Sequence, residues 1–203
     1  MRLLVASRNR KKLAELQRIL DAAQVRGVQL VGLDAIAPYD EAPETAPDFA
    51  GNALAKAHDG AAATGLACLA DDSGISVDAL NGMPGVLSAR WCGRHGDDPA
   101  NTALLLAQVA DVPDERRGAA FLCAAALVVP GVGEQVVLGR WPGRIARRPA
   151  GTGGFGYDPV FVPDGGHRSA AELSPQEKDA VSHRGRALAQ LVPALAELSR
   201  QSG

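Results

Sequence analysis

The sequence predicts a mixed α/β fold, and three observations support this prediction. Short apolar runs of strand length occur among longer segments in which apolar residues recur every three or four positions. Glycine-rich and proline-rich stretches separate these segments. Strands and helices do not alternate strictly, which favours a mixed α/β domain. With 203 residues, the chain has the length of one domain or of two closely packed lobes.

The first half of the chain is predicted to form three strands, two helices and an exposed loop. The first helix has an apolar stripe that includes Leu13, Leu16 and Leu20. The second helix is rich in alanine, and Gly65 follows it, as glycine commonly follows a helix end. The predicted strands cover residues 3–6, 28–33 and 67–70, the helices residues 11–23 and 48–64, and the proline-rich loop residues 38–47.

The second half begins with a possible extension of the third strand and ends with two helices. Ser174 and Glu177 match a capping box with Pro175 at the first helical position, which predicts a helix start. A final helix is predicted from Ser182, and Pro193 is expected to kink it or end it early. The other predictions are a strand extension over residues 75–80, a helix over 99–109, a hairpin of strands 119–129 and 135–141, and a strand over 157–162.

Composition and charge exclude several classes of protein. Hydrophobic residues at 46% and charged residues at 22% are ordinary for a globular domain, and a net charge of -2 argues against duplex nucleic acid as the main partner. The apolar run at the amino terminus is too short for a signal peptide, and no apolar run reaches the ~20 residues of a membrane span. Three cysteines without a CxxC pair fit a reducing compartment, so a cytoplasmic protein is expected. Cys68, Cys92 and Cys123 are expected to be small buried hydrophobes.

A basic turn precedes the first helix. It has the sequence SRNRKK and comprises Ser7, Arg8, Asn9, Arg10, Lys11 and Lys12. Four cations at the amino end of a helix add to its positive dipole, so a bound anion would relieve their repulsion. Ser7, Asn9 and Lys12 can cap the turn and point one way, which favours a phosphate site. For Arg10 and Lys11, a solvated basic surface is the preferred interpretation.

Two adjacent carboxylates follow the third strand, in the sequence ADDSG. In a continuing strand Asp71 and Asp72 would point to opposite faces, so both reach one site only if a loop begins there, which Ser73 and Gly74 allow. Adjacent acids at a strand end suit magnesium, which takes oxygen ligands and bridges carboxylates to phosphates. An Asx turn that caps the strand is the alternative.

Lys56 and Glu44 are weaker candidates on their own. Asn52 and Lys56 lie four residues apart and share a helix face next to the apolar stripe, so Lys56 can lean toward a ligand. Spacing alone favours a solvent-facing lysine. Glu44 lies in the proline-rich loop, where a surface position is the simplest expectation.

The segment GTGGFGYDP is dense in glycine, which favours a site where the backbone approaches a ligand. Gly151, Gly153 and Gly156 match G-x-G-x-x-G, but the dinucleotide fingerprint needs a helix after the loop, and a strand is predicted there. The P-loop sequence G-x-x-x-x-G-K-[ST] does not occur. Phe155 could stack on a nucleobase, and a place in the core is about equally consistent with its position.

Cationic hydrogen-bond donors also lie at the predicted start of the last helix. His183 and Arg184 carry donors suited to a carbonyl or phosphate oxygen. Surface positions are expected for His58, His95 and His167, which have no partners at ligand spacing. No G-x-S-x-G elbow occurs, so a serine nucleophile has no support.

With these residues assembled, the chain resembles the inosine triphosphate pyrophosphatase family over nearly its whole length. The resemblance lies in VASRNRKKLAEL, PETAPDFAGNALAKA, ADDSGISVDALNGMPGVLSARW, GTGGFGYDPVFVP and AELSPQEKDAVSHRGRAL. It implies a single domain over residues 1–203, with an elongated mixed-sheet fold of two lobes around a central nucleotide cleft, and a homodimer. It also implies magnesium-dependent hydrolysis of ITP, dITP and XTP to the nucleoside monophosphate and pyrophosphate, which cleanses the nucleotide pool.

The resemblance further implies roles for individual residues. Glu44 and Asp72 are similar to metal ligands, Asp72 is also similar to a proton acceptor, and Lys12 and Lys56 match cations that offset the phosphate charge. The nucleotide-binding positions are residues 7–12, Ser73, Phe155, Gly156, Tyr157, Asp158, Lys178, His183 and Arg184. Donors on His183 or Arg184 would bind the six-position carbonyl of hypoxanthine and xanthine, whereas the amino group of adenine would leave them unpaired.

Two positions depart from the family pattern. Arg8 stands where the family usually has glycine, and Gly51 stands where an acid normally precedes the asparagine. Two alternative functions stay open. One is a related pyrophosphatase on the same kind of fold that acts on modified pyrimidine nucleotides. The other, which the two departures slightly favour, is a nucleotide-sensing module without turnover.

Overall fold

The structure is a computed structural model that describes residues 1–41 and 43–201. Its helices and strands confirm a mixed α/β fold. In chain order they are β1 (Arg2–Val5), α1 (Arg10–Ala22), β2 (Gln29–Gly32), α2 (Phe49–Thr64), β3 (Ala67–Val77), α3 (Asp98–Gln108), β4 (Gly118–Val129), β5 (Gly133–Ile145), β6 (Phe161–Pro163), α4 (Pro175–Val181) and α5 (His183–Gln201). None of the helices in the described residues is long and apolar enough to cross a membrane.

The strands form one sheet in the order β2-β1-β3-β4-β5-β6. Strand β1 runs parallel to β2 and to β3, whereas β5 and β6 are antiparallel, so the sheet is mixed. The hairpin of β4 and β5 is confirmed, with residues 130–132 as its turn. Residue 42 of the predicted proline-rich loop lies outside the described residues.

The chain divides into two compact units. Unit 1 comprises Met1–Asp72, Cys123–Gly139 and Arg184–Gly203, and unit 2 comprises Ser73–Leu122 and Arg140–His183. Strands β3, β4 and β5 contribute residues to both units. Two of the changes from one unit to the other fall between Asp72 and Ser73 on β3 and between His183 and Arg184 on α5. The predicted pair of His183 and Arg184 is therefore divided between the units, whereas Asp71 and Asp72 both belong to unit 1.

In unit 1, apolar side chains cover both faces of the sheet. Successive residues of β1 belong to different apolar clusters. Leu3 and Val5 pack with Leu16 of α1 and Leu188 of α5. Leu4 instead belongs to a cluster with the alanines of α2. The two-residue period of a strand explains this division. Because both faces of the sheet are buried, these strands are nearly continuous apolar runs.

Unit 2 has its own core, which is richer in aromatic residues. Phe121, Trp141, Tyr157 and Phe161 pack with the buried α3 residue Leu105. The ring centroids of Phe121 and Phe161 lie 4.7 Å apart in an edge-to-face arrangement. Helix α3 is therefore fixed to the same core as the end of the glycine-rich segment.

Two sequence predictions about elements are wrong. The strand expected over residues 157–162 is limited to β6, because a 3-10 turn, Asp158–Val160, occupies the preceding positions. Helix α5 does not end at Pro193, since it continues to Gln201. Leu191 and Leu195 are fully buried on either side of that proline, and their packing stabilises the continued helix. The capping box at Ser174 is confirmed.

Candidate active site

Successive side chains on β3 point to opposite faces of the sheet, so the two adjacent aspartates are separated. The strand does not give way to a loop after Ala70, because it runs unbroken to Val77. Asp71 therefore points to the face that α1 and α5 cover, and Asp72 to the face that α2 covers. The expectation that a loop lets both carboxylates reach one site is wrong, and so is the Asx turn. Each carboxylate has its own set of partners in unit 1.

Asp71 is the centre of a buried cluster of four charged groups. Its Oδ2 atom lies 2.9 Å from Lys12 Nζ and 3.1 Å from Arg184 Nε. Arg184 also donates from Nη1 to Glu15 at 2.8 Å. Two cations and two carboxylates thus balance in formal charge. Burial alone would raise the pKa of Asp71, but the Lys12 and Arg184 cations hold it well below its usual range.

Asp72 lies among the polar residues of α2. Asn52 donates from Nδ2 to Asp72 Oδ2 at 3.0 Å, and Lys56 donates from Nζ to Asp72 Oδ1 at 3.3 Å. Lys56 also lies 2.5 Å from Glu44 Oε1. Burial alone would lower the pKa of Lys56, but the carboxylates of Asp72 and Glu44 raise it above its ordinary value. The solvent-facing lysine that spacing favoured is therefore wrong, since only 17% of the Lys56 side chain is exposed.

Asn52 connects the loop of Glu44 to Asp72. Besides its bond to Asp72, its Oδ1 atom accepts a hydrogen bond from the Ala46 backbone at 3.0 Å. Gly51 assists, because a Cβ atom there would lie only 2.7 Å from Ala46 Cβ. The loop thus packs directly on the start of α2. Gly51, which has no side chain, permits this close approach.

Glu44 and Asp72 fit the donor set that magnesium prefers. Both present carboxylate oxygens to the same point, the ammonium group of Lys56, so a cation already lies between them. Magnesium is bound in many enzymes through one or two carboxylates together with substrate phosphates and water. Within residues 1–41 and 43–201, no group of three metal-binding side chains occurs. Substrate oxygens and water would therefore have to complete the coordination.

The basic turn begins α1 as the sequence predicts. The Asn9 side chain caps the helix by accepting from the Lys11 backbone at 3.0 Å, and Ser7 Oγ accepts from the Asn9 backbone at 3.2 Å. Arg8 and Arg10 are exposed and form ion pairs with Glu41 and Asp34, respectively. A cavity of about 550 Å³ adjoins the turn and is lined in part by Ser7, Arg8 and Arg10. Its volume is within the range of small-molecule sites.

In unit 2, Asp158 organises the glycine-rich segment. Its Oδ2 atom accepts from the Phe155 backbone at 2.8 Å and from Lys178 Nζ at 2.5 Å. Gly154 has a φ of +71°, and a Cβ atom there would lie 1.9 Å from Asp158 Oδ2. Gly153 likewise leaves room for the backbone of Ala171. Much of the glycine density therefore serves packing within the loop.

The Phe155 ring lies beside a buried lysine. Lys178 Nζ is 4.9 Å from the ring centroid, within the range of a cation–π contact. Phe155 is half-buried and does not belong to the apolar core of unit 2, so its alternative interpretation as a core aromatic is not supported. Tyr157, in contrast, is a core residue whose hydroxyl donates to the Ser88 carbonyl at 2.8 Å. Phe155 is thus the aromatic residue of this loop that is available to a ligand.

His183 is buried in an aromatic stack. Its ring lies 4.7 Å from that of Phe121, with an interplanar angle of 11°, and 6.4 Å from that of Trp141. The other three histidines are exposed, as predicted: His58, His95 and His167. His183 can present a ring edge to a ligand only in the orientation that the stack imposes.

The structure brings many of the predicted residues together, although in several separate groups. Glu44, Lys56 and Asp72 form one group, Lys12 and Arg184 join Asp71 in a second, and Phe155, Asp158 and Lys178 form a third. Ser73 begins unit 2, directly after Asp72. Sequence reasoning gave no role to Glu15, and it passed over Asn52 in favour of Lys56. For Glu15 the available signal was its position three residues after Lys12 on α1.

The cysteine expectation holds for two of the three residues. Cys68 and Cys123 are buried, and burial raises their pKa to about 12, so both thiols remain protonated at neutral pH. Cys92 is only half-buried, which corrects the expectation for that residue. Its backbone N–H donates to Asn101 at 2.7 Å.

Fold and site together define a mixed α/β protein with buried acid–base clusters on both faces of one strand and a lysine–aromatic cluster in the second unit. The chain belongs to the Ham1 family, whose model matches residues 3–194. This confirms the resemblance on which the sequence predictions depended.

Individual relatives cover nearly the whole chain. A dITP/XTP pyrophosphatase from Nocardia farcinica is 73% identical over 198 residues, which are 98% of this chain and 96% of the relative. The crystal structure of a nucleoside-triphosphatase, a dITP/XTP pyrophosphatase, from Mycobacterium abscessus is 68% identical, with a TM-score of 0.77 over 96% of this chain and 100% of that one. A HAM1 protein structure from Coxiella burnetii is 39% identical, with a TM-score of 0.84 over 97% of this chain and 99% of that one.

Proposed function

We propose that this chain is a pyrophosphatase for deaminated purine nucleoside triphosphates. It hydrolyses ITP, dITP and XTP to the nucleoside monophosphate and pyrophosphate, and so cleanses the nucleotide pool. The observation that carries the proposal is the convergence of Glu44 and Asp72 on the ammonium group of Lys56. Relatives named dITP/XTP pyrophosphatase support it, because they match the chain at 68–73% identity over almost their full length.

The residues of unit 1 act on the triphosphate. The Lys56 ammonium group leaves its carboxylate partners and binds phosphate oxygens instead. Lys12 and the amino end of α1 attract the polyphosphate. Magnesium, the cofactor included in this proposal, would be held by Glu44 and Asp72, and it supplies positive charge that offsets the charge developing on the phosphates. Phosphoryl transfer requires mainly positioning and charge stabilisation, which these groups provide without a protein nucleophile.

Asp72 acts as the proton acceptor for the attacking water. Asn52 and Lys56 each bond one of its oxygens, so the carboxylate has a fixed orientation. The water oxygen attacks the α-phosphorus and gives a proton to Asp72, the bond from the α-phosphorus to the α–β bridging oxygen breaks, and pyrophosphate leaves. Asp71 takes no part in this step, because it points to the other face of β3.

The residues of unit 2 bind the base. Phe155 stacks on the purine, while Lys178 and His183 offer donors to the six-position carbonyl of hypoxanthine or xanthine. Adenine presents an amino group there, and an unpaired buried donor costs about 1–3 kcal/mol, enough for tenfold or stronger rejection. Arg184 is assigned to the Asp71 cluster instead, because its guanidinium bonds Asp71 and Glu15.

A cytoplasmic homodimer completes the proposal. Two properties of the chain support this location: an odd number of cysteines without a CxxC pair, and apolar runs shorter than a membrane span. The homodimer follows from the family resemblance. Light scattering of the purified protein would test the oligomeric state directly.

The proposal is tested by measuring pyrophosphate release from dITP, XTP, dATP, dGTP and dUTP at equal concentration, with and without magnesium. We expect magnesium-dependent release from dITP and XTP at rates at least tenfold above those from dATP. Preferred turnover of dUTP would instead indicate a pyrimidine nucleotide pyrophosphatase. Binding of ITP without any release would indicate a sensing module.

A further inference from the structure

The backbone of Gly156 is held on both sides by the first turns of α3. Its N–H group donates to Asp98 Oδ2 at 2.7 Å, and its carbonyl accepts from Thr102 Oγ1 at 3.4 Å. Asp98 and Thr102 are four residues apart, so they share one face of the helix. The bond to the carboxylate is charge-assisted and therefore the stronger of the two.

This clamp adjoins the residue that stacks on the base. Gly156 follows Phe155 directly, and the N–H group of Phe155 donates to Asp158 on the other side. The peptide groups before and after Phe155 are thus both fixed by a carboxylate. Gly156 has a φ of +60°, a left-handed conformation that few other residues adopt and that turns the chain at this point.

Helix α3 is a rigid support for such a clamp. Leu105 of the helix and Val109, which follows its last residue, are fully buried in the core of unit 2. The helix has a separate cap, because Asp97 Oδ1 accepts from the Ala100 backbone at 3.1 Å. Asp98 is therefore not needed to cap α3, and its carboxylate is directed to the neighbouring loop.

We propose that Asp98, assisted by Thr102, is a positioning residue for nucleobase binding, which sets the position of the Phe155 ring through the backbone of Gly156. This inference rests on the proposed function, in which Phe155 stacks on the purine. The ring contacts the base in the ground state and in the transition state alike, so loss of the clamp raises KM and leaves kcat nearly unchanged.

Four single variants test the proposal, with dITP as the substrate. We expect Asp98→Ala to raise KM about tenfold, the effect of losing one hydrogen bond to a charged group, with kcat within about twofold of the wild type. Asp98→Asn keeps an acceptor oxygen and should restore most of the affinity. Thr102→Val should give a smaller increase, since its bond is long. The control is Asp97→Ala, which removes the helix cap and lowers the melting temperature but leaves KM unchanged.

A double-mutant cycle separates positioning from general loss of structure. In a Phe155→Ala background, Asp98→Ala should cause little further increase in KM, because the ring it positions is absent. Hydrogen exchange of the Gly156 amide gives a second measurement that needs no substrate. We expect the amide to exchange at least tenfold faster in Asp98→Ala and at the wild-type rate in Asp97→Ala.

Three outcomes would overturn the proposal: an unchanged KM in Asp98→Ala, an equal increase in Asp97→Ala, or a full additional effect in the Phe155→Ala background. If the wild-type protein releases no pyrophosphate from dITP, the proposed function fails, and the same variants then test the role in base binding through the Kd for dITP. The exchange rate of the Gly156 amide still decides, independently, whether Asp98 holds the loop.

Discussion

Unit 1 and unit 2 both bury lysine–aspartate pairs, but the surroundings of these pairs differ. In unit 1, Lys56 contacts two carboxylates on one face of β3, and Asp71 contacts two cations on the other face. In unit 2, Lys178 pairs with Asp158 and lies over the face of Phe155. The first environment suits a highly charged ligand that exchanges ion pairs, and the second suits a flat ring with a polar edge.

The difference indicates a division of labour between the units. Buried ion pairs contribute little to stability, because desolvation offsets most of their attraction. Such groups are therefore better explained by the ligand that they meet. Variants in unit 1 should change mainly the rate of the chemical step, and variants in unit 2 should change mainly the affinity for the base.

The largest effect is expected for Asp72→Asn. The amide cannot accept a proton from water, so kcat for dITP should fall about 10³-fold, the typical contribution of a general base. The affinity for dITP, measured by calorimetry in the presence of calcium in place of magnesium, should change far less. The melting temperature is the control for folding, because the amide oxygen can accept from only one of the two donors, Asn52 and Lys56. Retention of more than a tenth of the activity would refute its role as base.

Phe155→Ala tests the other side of the comparison. Loss of stacking on one base costs about 1–3 kcal/mol, so KM for dITP should rise about tenfold or more, with a much smaller change in kcat. Phe155→Trp retains an aromatic face and is the matched control. Steady-state kinetics with dITP and XTP would check the prediction. A kcat defect as large as that of Asp72→Asn, with unchanged KM, would contradict the assignment of base binding to unit 2.

The sequence predicts most elements but not the continuity of β3. Strands and helices of unit 1 follow from apolar periodicity, which the packing of both sheet faces confirms. Residues 71–74 consist of types that favour turns, so a loop was the natural expectation. The strand continues because each aspartate finds buried partners on its own face: Lys12 and Arg184 for Asp71, and Lys56 for Asp72. Tertiary partners thus override local preference.

The residues that sequence reasoning missed depend on contacts between distant parts of the chain. Glu15 acquires its role from Arg184, which is 169 positions away. Asp98 acquires its role from Gly156, 58 positions away. Taken locally, each is an ordinary acid near the start of a helix. The candidate site residues were predicted from the family resemblance and from charge clustering. Spacing on α1 places Glu15 near Lys12, but no local pattern identifies Arg184 or Gly156 as a partner.

The buried charges around Asp71 should also make the stability of the folded protein sensitive to acid. The pKa of Asp71 is lowered in the folded state from the 3.8 expected for an ordinary aspartate. Its contribution to stability is therefore fully present above roughly pH 5 and is lost as the pH falls toward the folded-state pKa. Denaturant unfolding between pH 6 and pH 3 should show a weaker pH dependence in Asp71→Asn than in the wild type. Equal slopes would show that Asp71 does not contribute to acid unfolding.

The smallest effect is expected at Arg8. Arg8 forms an ion pair with Glu41, but its side chain is 81% exposed, and exposed pairs contribute little. We expect Arg8→Gly to change KM for dITP by less than about threefold, with a difference that disappears at high salt, where such charges are screened. Glu41→Gln removes the same ion pair from the other side and is the matched comparison. A loss of turnover in Arg8→Gly but not in Glu41→Gln would show instead that the guanidinium itself binds the triphosphate, and unit 1 would then contain a further cation of the phosphate site.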